Sequence, residues 1–180
     1  MGDMIMRYVL AGLTICLFSG LAQAGDVTVK GVHLCCGKCV TGATDALKDV
    51  NGITGLNVDK DAGSIIFQAE NSEVAQNALA ELAKAGFAGR ATLGDEKLKL
   101  PKIGVKKGTT CNEFAIKDVH LCCGGCVNGV KEALEDVEGI SEVNGDMKTG
   151  IVTVKGDNVD VRKTVQALRK AGFNGTPDLD

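Results

Sequence analysis

The chain has no tryptophan, and aromatic side chains make up 3% of its 180 residues. Stacking platforms for nucleobases are therefore missing. Neither sign of charge dominates: 20 basic against 23 acidic side chains leave a net −3, which provides no strong field to draw in a polyanion. Nucleic acid drops out as a partner on both counts. There are only two histidines, and no Ser–His–Asp arrangement, phosphate loop or paired acid–base constellation accompanies them. No enzyme is expected.

Cysteine, by contrast, is abundant at eight residues. Arg7 precedes an apolar run from Tyr8 to Leu21, followed by Ala22-Gln23-Ala24. A basic start, an apolar stretch of about 7–15 residues and small residues at −3 and −1 mark a secretory leader. Residues 1–24 are read as a cleavable signal peptide, which makes the chain periplasmic or secreted and free of the membrane after cleavage. An uncleaved anchor is the alternative, although the run is short for a span of about 20 residues. Cys16 leaves with the leader. The remaining Cys35, Cys36, Cys39, Cys111, Cys122, Cys123 and Cys126 are odd in number and cannot all pair within the chain. Export favours disulfides, but six of these seven crowd into two clusters and do not spread out as a framework.

An internal repeat organises the chain. His33-Leu34-Cys35-Cys36-Gly37-Lys38-Cys39-Val40 returns as His120-Leu121-Cys122-Cys123-Gly124-Gly125-Cys126-Val127, and from His33 to Leu56 against His120 to Val143, 14 of 24 positions are identical. Ala85-Gly86-Phe87 returns as Ala171-Gly172-Phe173. One module has been duplicated, giving modules at 25–93 and 112–176 with a lysine-rich linker at 94–111. That linker reads as a solvated spacer, or as a docking segment for an acidic partner; Leu98 and Leu100 offer to extend the first sheet.

Alternating apolar residues predict a strand over Asp26–Val32, and the spacing of Val40, Ala43, Leu47 and Val50 predicts a helix from Lys38 to Val50. Strands are expected over Ile53–Asp59 and through Ile65, Phe67 and Ala69. A helix capped by Ser72 then runs to about Gly86, before a short strand over Gly89–Leu93. In the second module, strands are expected near Glu113–Val119, Ile140–Asp146 and Gly150–Lys155, and helices near Gly125–Val137 and Val159–Ala171. Its last strand reads weakly, because Asn174-Gly175-Thr176-Pro177 favours a turn. The order βαββαβ, twice over, is the split-βαβ arrangement. The fold class is α+β: two tandem ferredoxin-like domains, each an antiparallel sheet with two helices on one face.

Cys36-Gly37-Lys38-Cys39 and Cys123-Gly124-Gly125-Cys126 each place two thiols where a strand gives way to a helix. The helix start carries unpaired N–H groups and positive dipole, which favour thiolate over thiol. Thiolates select soft ions over Ca(II) or Mg(II). Cys36, Cys39, Cys123 and Cys126 are the primary candidate ligands. Cys35 and Cys122 each add a third sulfur. His33 and His120 add an imidazole at the same repeat position, as a ligand or as a loop cap. Three sulfurs and a nitrogen suit tetrahedral Zn(II); two or three sulfurs suit Cu(I) or Hg(II). Two sites per chain are expected, with one ion shared between loops as the alternative.

These residues resemble the heavy-metal-associated domain family, which includes copper chaperones, the N-terminal modules of copper-transporting ATPases and the periplasmic mercury-binding protein. In that family a Gly-Met-x-Cys-x-x-Cys loop joins the first strand to the first helix of a βαββαβ fold. The resemblance places the two ligand cysteines at Cys36 and Cys39 and at Cys123 and Cys126. It places the buried methionine at Leu34 and Leu121, and the late aromatic at Phe87 and Phe173. Cys35, Cys122, His33 and His120 depart from the family pattern. The function implied is that of an exported carrier, buffer or scavenger of a soft metal ion, Cu(I) first, with Hg(II) or Zn(II) as alternatives. The ion would be exchanged with a metal-transport protein through exposed loops. A thiol–disulfide protein cycling its C-x-x-C pairs, or an interaction module with oxidised loops, is the competing reading. Cys111 has no counterpart in the first module and reads as a free or buried thiol.

Overall fold

The computed structural model describes residues 24–179; the expected leader and Cys16 lie outside them. The first module runs β1 (Gly25–Lys30), α1 (Gly37–Leu47), β2 (Ile53–Asp59), β3 (Ser64–Ala69), α2 (Ser72–Lys84), β4 (Arg90–Leu93) and a two-residue β5 (Glu96–Lys97). The second runs β6 (Thr110–Lys117), α3 (Gly124–Leu134), β7 (Ile140–Asp146), β8 (Ile151–Asp160), α4 (Val161–Lys170) and β9 (Thr176–Asp178). Strand order is β2-β3-β1-β4-β5 in one sheet and β7-β8-β6-β9 in the other, with every pairing antiparallel. This is the ferredoxin-like arrangement, twice. Among the described residues, no helix is long and apolar enough to cross a membrane.

Period-two alternation turns Val27 and Val29 of β1 inward opposite Phe67 and Ile65 of β3. The helices bury narrow stripes at fourfold spacing: Cys39, Ala43 and Leu47 on α1, and Cys126, Val130 and Leu134 on α3. The second cysteine of each C-x-x-C therefore heads its helix's core stripe, a place expected for Val40, which is only half-buried. Packing the helix on the sheet thus fixes where that sulfur points.

Three expectations need correction. The N-cap of α2 is Asn71, not Ser72: its backbone is extended and its side chain accepts the Val74 N–H at 2.9 Å. Ser72 is the first helical residue. The stretch at 174–177 does not end the sheet in a turn, because Thr176–Asp178 pairs with β6 and Lys117 ion-pairs with Asp178. Pro177 is tolerated there because an edge strand has one face of its ladder free. Thirdly, the linker is not merely solvated. Glu96–Lys97 adds a strand to the first sheet, Leu98, Leu100, Ile103 and Val105 pack half-buried against the core, and its lysines face solvent. Gln76 Nε2 donates to the Lys99 carbonyl at 2.6 Å, and Arg169 Nη1 to the Pro101 carbonyl at 2.8 Å. The segment is strapped to helices of both modules.

The modules also meet directly. Phe87 and Phe173 form an antiparallel bridge, with Ala88 N donating to Gly172 O at 3.0 Å and Asn174 N to Gly86 O at 2.8 Å. Asn174 is buried; its Nδ2 donates to Ala83 O at 2.7 Å and its Oδ1 accepts from Arg169 Nε at 2.8 Å. One contiguous core runs through both modules.

Candidate metal centre

The bridge between the modules sets the two cysteine loops face to face. Within the first loop, Sγ of Cys35 and Cys39 are 3.7 Å apart and those of Cys36 and Cys39 4.0 Å. In the second, Cys122–Cys126 is 3.6 Å and Cys123–Cys126 3.9 Å. Four of the five contacts between loops are closer still. Cys35 lies 3.4 Å from Cys123 and 3.5 Å from Cys126; Cys122 lies 3.5 Å from Cys36 and 3.4 Å from Cys39; Cys39 and Cys126 are 3.9 Å apart. The pattern has two-fold symmetry. Each module's extra cysteine sits against the other module's C-x-x-C pair, so Cys122 completes a triangle with Cys36 and Cys39, and Cys35 completes one with Cys123 and Cys126. An ion about 2.3 Å from each sulfur needs sulfurs about 3.8–4.0 Å apart, close to the spacing present. All six are free thiols, and Cys111, on β6, belongs to none of these contacts.

The loops are less open than expected. Cys39 and Cys126 are fully buried, and Cys35 is the most accessible member. Electrostatics divides the sulfurs further. Cys36 is the N-cap of α1 and Cys123 that of α3. The Cys39 backbone N–H, followed by the Cys122 thiol, pulls the Cys36 pKa down to about 6. The Cys126 N–H and the Cys35 thiol lower that of Cys123. Desolvation of the sulfur itself raises the thiols of Cys35, Cys122 and Cys126 and keeps them protonated; at Cys35, an otherwise exposed residue, the thiols of Cys123, Cys126 and Cys39 add to it. The leading cysteines of the C-x-x-C pairs are thus the anionic members of the cluster.

The histidines are also exchanged between modules. His33 stacks on Phe173 with ring centroids 4.2 Å apart, and His120 on Phe87 at 4.4 Å. Each ring lies over a helical glycine of the other module: a Cβ at Gly129 would stand 2.8 Å from His33 Cε1, and one at Gly42 2.6 Å from His120 Cε1. Nε2 of both is buried without a partner. Burial depresses both pKa values; Glu132 partly offsets the effect at His33, and the His33 charge adds to it at His120. A ring nitrogen of His33 lies within 4.8 Å of the Cys35 and Cys126 sulfurs, one from each module, so this imidazole borders the sulfur cluster. Gly42 and Gly129 were not singled out from the sequence, and Gly86, Gly172 and Asn174 were read there only as repeat and turn residues. The signal available was that Gly42 and Gly129, which place glycine inside a helix at a cost of about 1 kcal/mol, occupy the same repeat position.

Comparison with known proteins settles the family of the second module. Residues 113–174 match the heavy-metal-associated domain. This module is a heavy-metal-associated domain. The first module, its internal repeat, shares its strand order and cysteine loop, so the chain carries the heavy-metal-associated fold in tandem. Over 54 residues, 30% of the chain, it is 41% identical to the copper chaperone for superoxide dismutase of Arabidopsis thaliana, of which that covers 17%. Over 166 residues, 86% of the chain, it is 24% identical to a copper-exporting P-type ATPase of Vibrio cholerae, of which that covers 18%. The chain thus spans under a fifth of either relative. Oxidized MerP from Ralstonia metallidurans CH34 aligns with 37% of this chain and 96% of its own, at 26% identity and a TM-score of 0.35.

Proposed function

We propose that this chain is an exported carrier or buffer of a soft metal ion, Cu(I) first, which it holds through the thiolates of Cys36, Cys39, Cys123 and Cys126 with Cys35 and Cys122 in support. The observation that carries the reading is the convergence of six sulfurs at 3.4–4.0 Å. Oxygen-seeking ions have no ligand set there, whereas thiolate selects soft monovalent and divalent ions. The names of the copper chaperone and the copper-exporting ATPase support copper over mercury and zinc, and they support exchange of the ion with a metal-transport protein. The leader-like Arg7 and Tyr8–Leu21 run supports export.

The test is an anaerobic competition of the reduced full chain against a chromophoric Cu(I) chelator. The chain should strip Cu(I) from the chelator, and Cys36→Ser/Cys39→Ser/Cys123→Ser/Cys126→Ser should abolish this. A reduced chain that takes neither Cu(I) nor Hg(II) ends the proposal. One observation favours a second reading: a Cys36 thiol lowered to about 6 next to other thiols also suits thiol–disulfide exchange. Oxidase or reductase turnover by metal-free protein would select it.

A further inference from the structure

One ion per cysteine loop is the simplest loading, yet the sulfur distances describe something else. Taking 4.0 Å as the edge, the six sulfurs close four triangles. Two are outer: Cys36, Cys39 and Cys122, and Cys35, Cys123 and Cys126. Two are inner: Cys35, Cys39 and Cys126, and Cys39, Cys122 and Cys126. The inner pair share the Cys39–Cys126 edge, and each outer triangle shares an edge with an inner one. A single ion takes at most about four sulfurs, so it leaves part of this assembly unused. Two ions in the outer triangles leave the inner ones, of equal size, empty.

We infer that the two loops form one six-sulfur centre within the chain that holds a polynuclear Cu(I)–thiolate cluster of about four ions, one per triangle, with Cys35 and Cys122 bridging the modules. The inference rests on the soft-metal reading above and adds to it nuclearity and the role of the two extra cysteines. Monovalent Cu(I) accepts three-coordinate sulfur and shared thiolate. Loading involves no electron transfer. The thiols still protonated release their protons to solvent, and about four monovalent ions bind the six thiolates, leaving a net charge of about −2. The arrangement also explains why the family's two-cysteine loop has gained a third sulfur in both modules: within its own loop that sulfur touches only the second cysteine of the C-x-x-C pair, but it spans both cysteines of the other module's pair. His33, with a ring nitrogen within 4.8 Å of the Cys35 and Cys126 sulfurs, borders the centre.

The experiment titrates the reduced full chain anaerobically with Cu(I), supplied as its acetonitrile complex, and follows it by copper X-ray absorption and by native mass spectrometry. Wild type should pass from the empty to the roughly four-copper state in one cooperative step, with a short copper–copper vector. Cys35→Ser/Cys122→Ser leaves only the two C-x-x-C pairs and should fall to two ions, bound independently and without that vector. Saturation of wild type at one or two ions with no copper–copper vector overturns the cluster and leaves the soft-metal reading intact. Full retention of the cluster by the double variant overturns the bridging role. Absence of any Cu(I) uptake defeats the parent reading instead. Should the double variant fail to fold, as circular dichroism would reveal, the wild-type copper–copper vector decides alone.

Discussion

The sulfur centre depends on two backbones lying almost in contact, and substituting Gly86 by alanine tests that dependence without touching a sulfur or a histidine ring. A Cβ at Gly86 would stand 2.3 Å from His120 N, 2.7 Å from Asp118 O and 2.9 Å from the Val119 carbonyl carbon. Ordinary contact begins near 3.4 Å, and the atoms met are backbone, so the modules must separate by roughly 1 Å. Forced overpacking of this kind costs about 1–3 kcal/mol, which lowers the ratio of closed to open chains by about 5- to 150-fold. Gly86 also has a φ of +87°, so alanine carries local backbone strain of about 1–2 kcal/mol whether the modules are closed or open. Gly94→Ala controls for that strain, since Gly94 has a φ of +54° and open space around it. Mild oxidation of the metal-free chain followed by peptide mapping reports closure as disulfides between loops against disulfides within one loop. Gly86→Ala should shift the products to within-loop pairs, and Gly94→Ala should not. Equal between-loop yield in both variants would show that the seam does not hold the loops together.

Three further outcomes follow from the same geometry. A brief iodoacetamide pulse on the reduced protein at neutral pH should modify Cys36 and Cys123 before the more exposed Cys35, because the Cys36 pKa is lowered to about 6, whereas desolvation of its sulfur and the thiols of Cys123, Cys126 and Cys39 keep Cys35 protonated; mass mapping that finds Cys35 labelled first contradicts the charge assignment. His33 and His120 have folded pKa values below their ordinary 6.5, so the stability they allow is present above that value and lost as pH falls through the depressed one. The melting temperature should therefore drop on acidification below about pH 6.5, less steeply in His33→Gln/His120→Gln, and an unchanged slope would count against the buried neutral rings. Asn71→Ala should cost about 1 kcal/mol in denaturant unfolding through loss of the α2 cap, whereas Ser72→Ala should cost little; the reverse order would restore Ser72 as the cap.

The sequence alone carried most of the fold, because periodicity is a local signal. Ile53–Asp59 and Ile140–Asp146 could be read with their observed bounds, since alternation and flanking glycines define them. What could not be read was long-range. Asn71 and Ser72 are adjacent and both are good caps, so only the observed dihedrals separate them. Thr176–Asp178 owes its strand to pairing with β6 and to Lys117, against a local turn preference. The burial of Cys39 and Cys126 at the head of a helix stripe follows from helix-on-sheet packing, which ranks a free cysteine as a small apolar residue. Above all, the facing of the two loops depends on a bridge between Phe87 and Phe173 that no pattern in either module encodes by itself.

The residues that fitted the family pattern least well all reach across the seam. Cys35, Cys122, His33 and His120 departed from the two-cysteine loop, and each reaches a group on the opposite module: Cys35 to Cys123, Cys122 to Cys39, His33 to Phe173 and His120 to Phe87. A module acting alone has no use for a glycine at the centre of its first helix, but Gly42 and Gly129 each receive the other module's imidazole. All of these departures occur in both copies. Duplication therefore did more than double a binding loop: a pair of modules in one chain supplies, at fixed high effective concentration, a second set of thiols that a single module would have to borrow from another molecule. Under the proposed function, a centre shared by two modules favours retention of the ion over rapid hand-over.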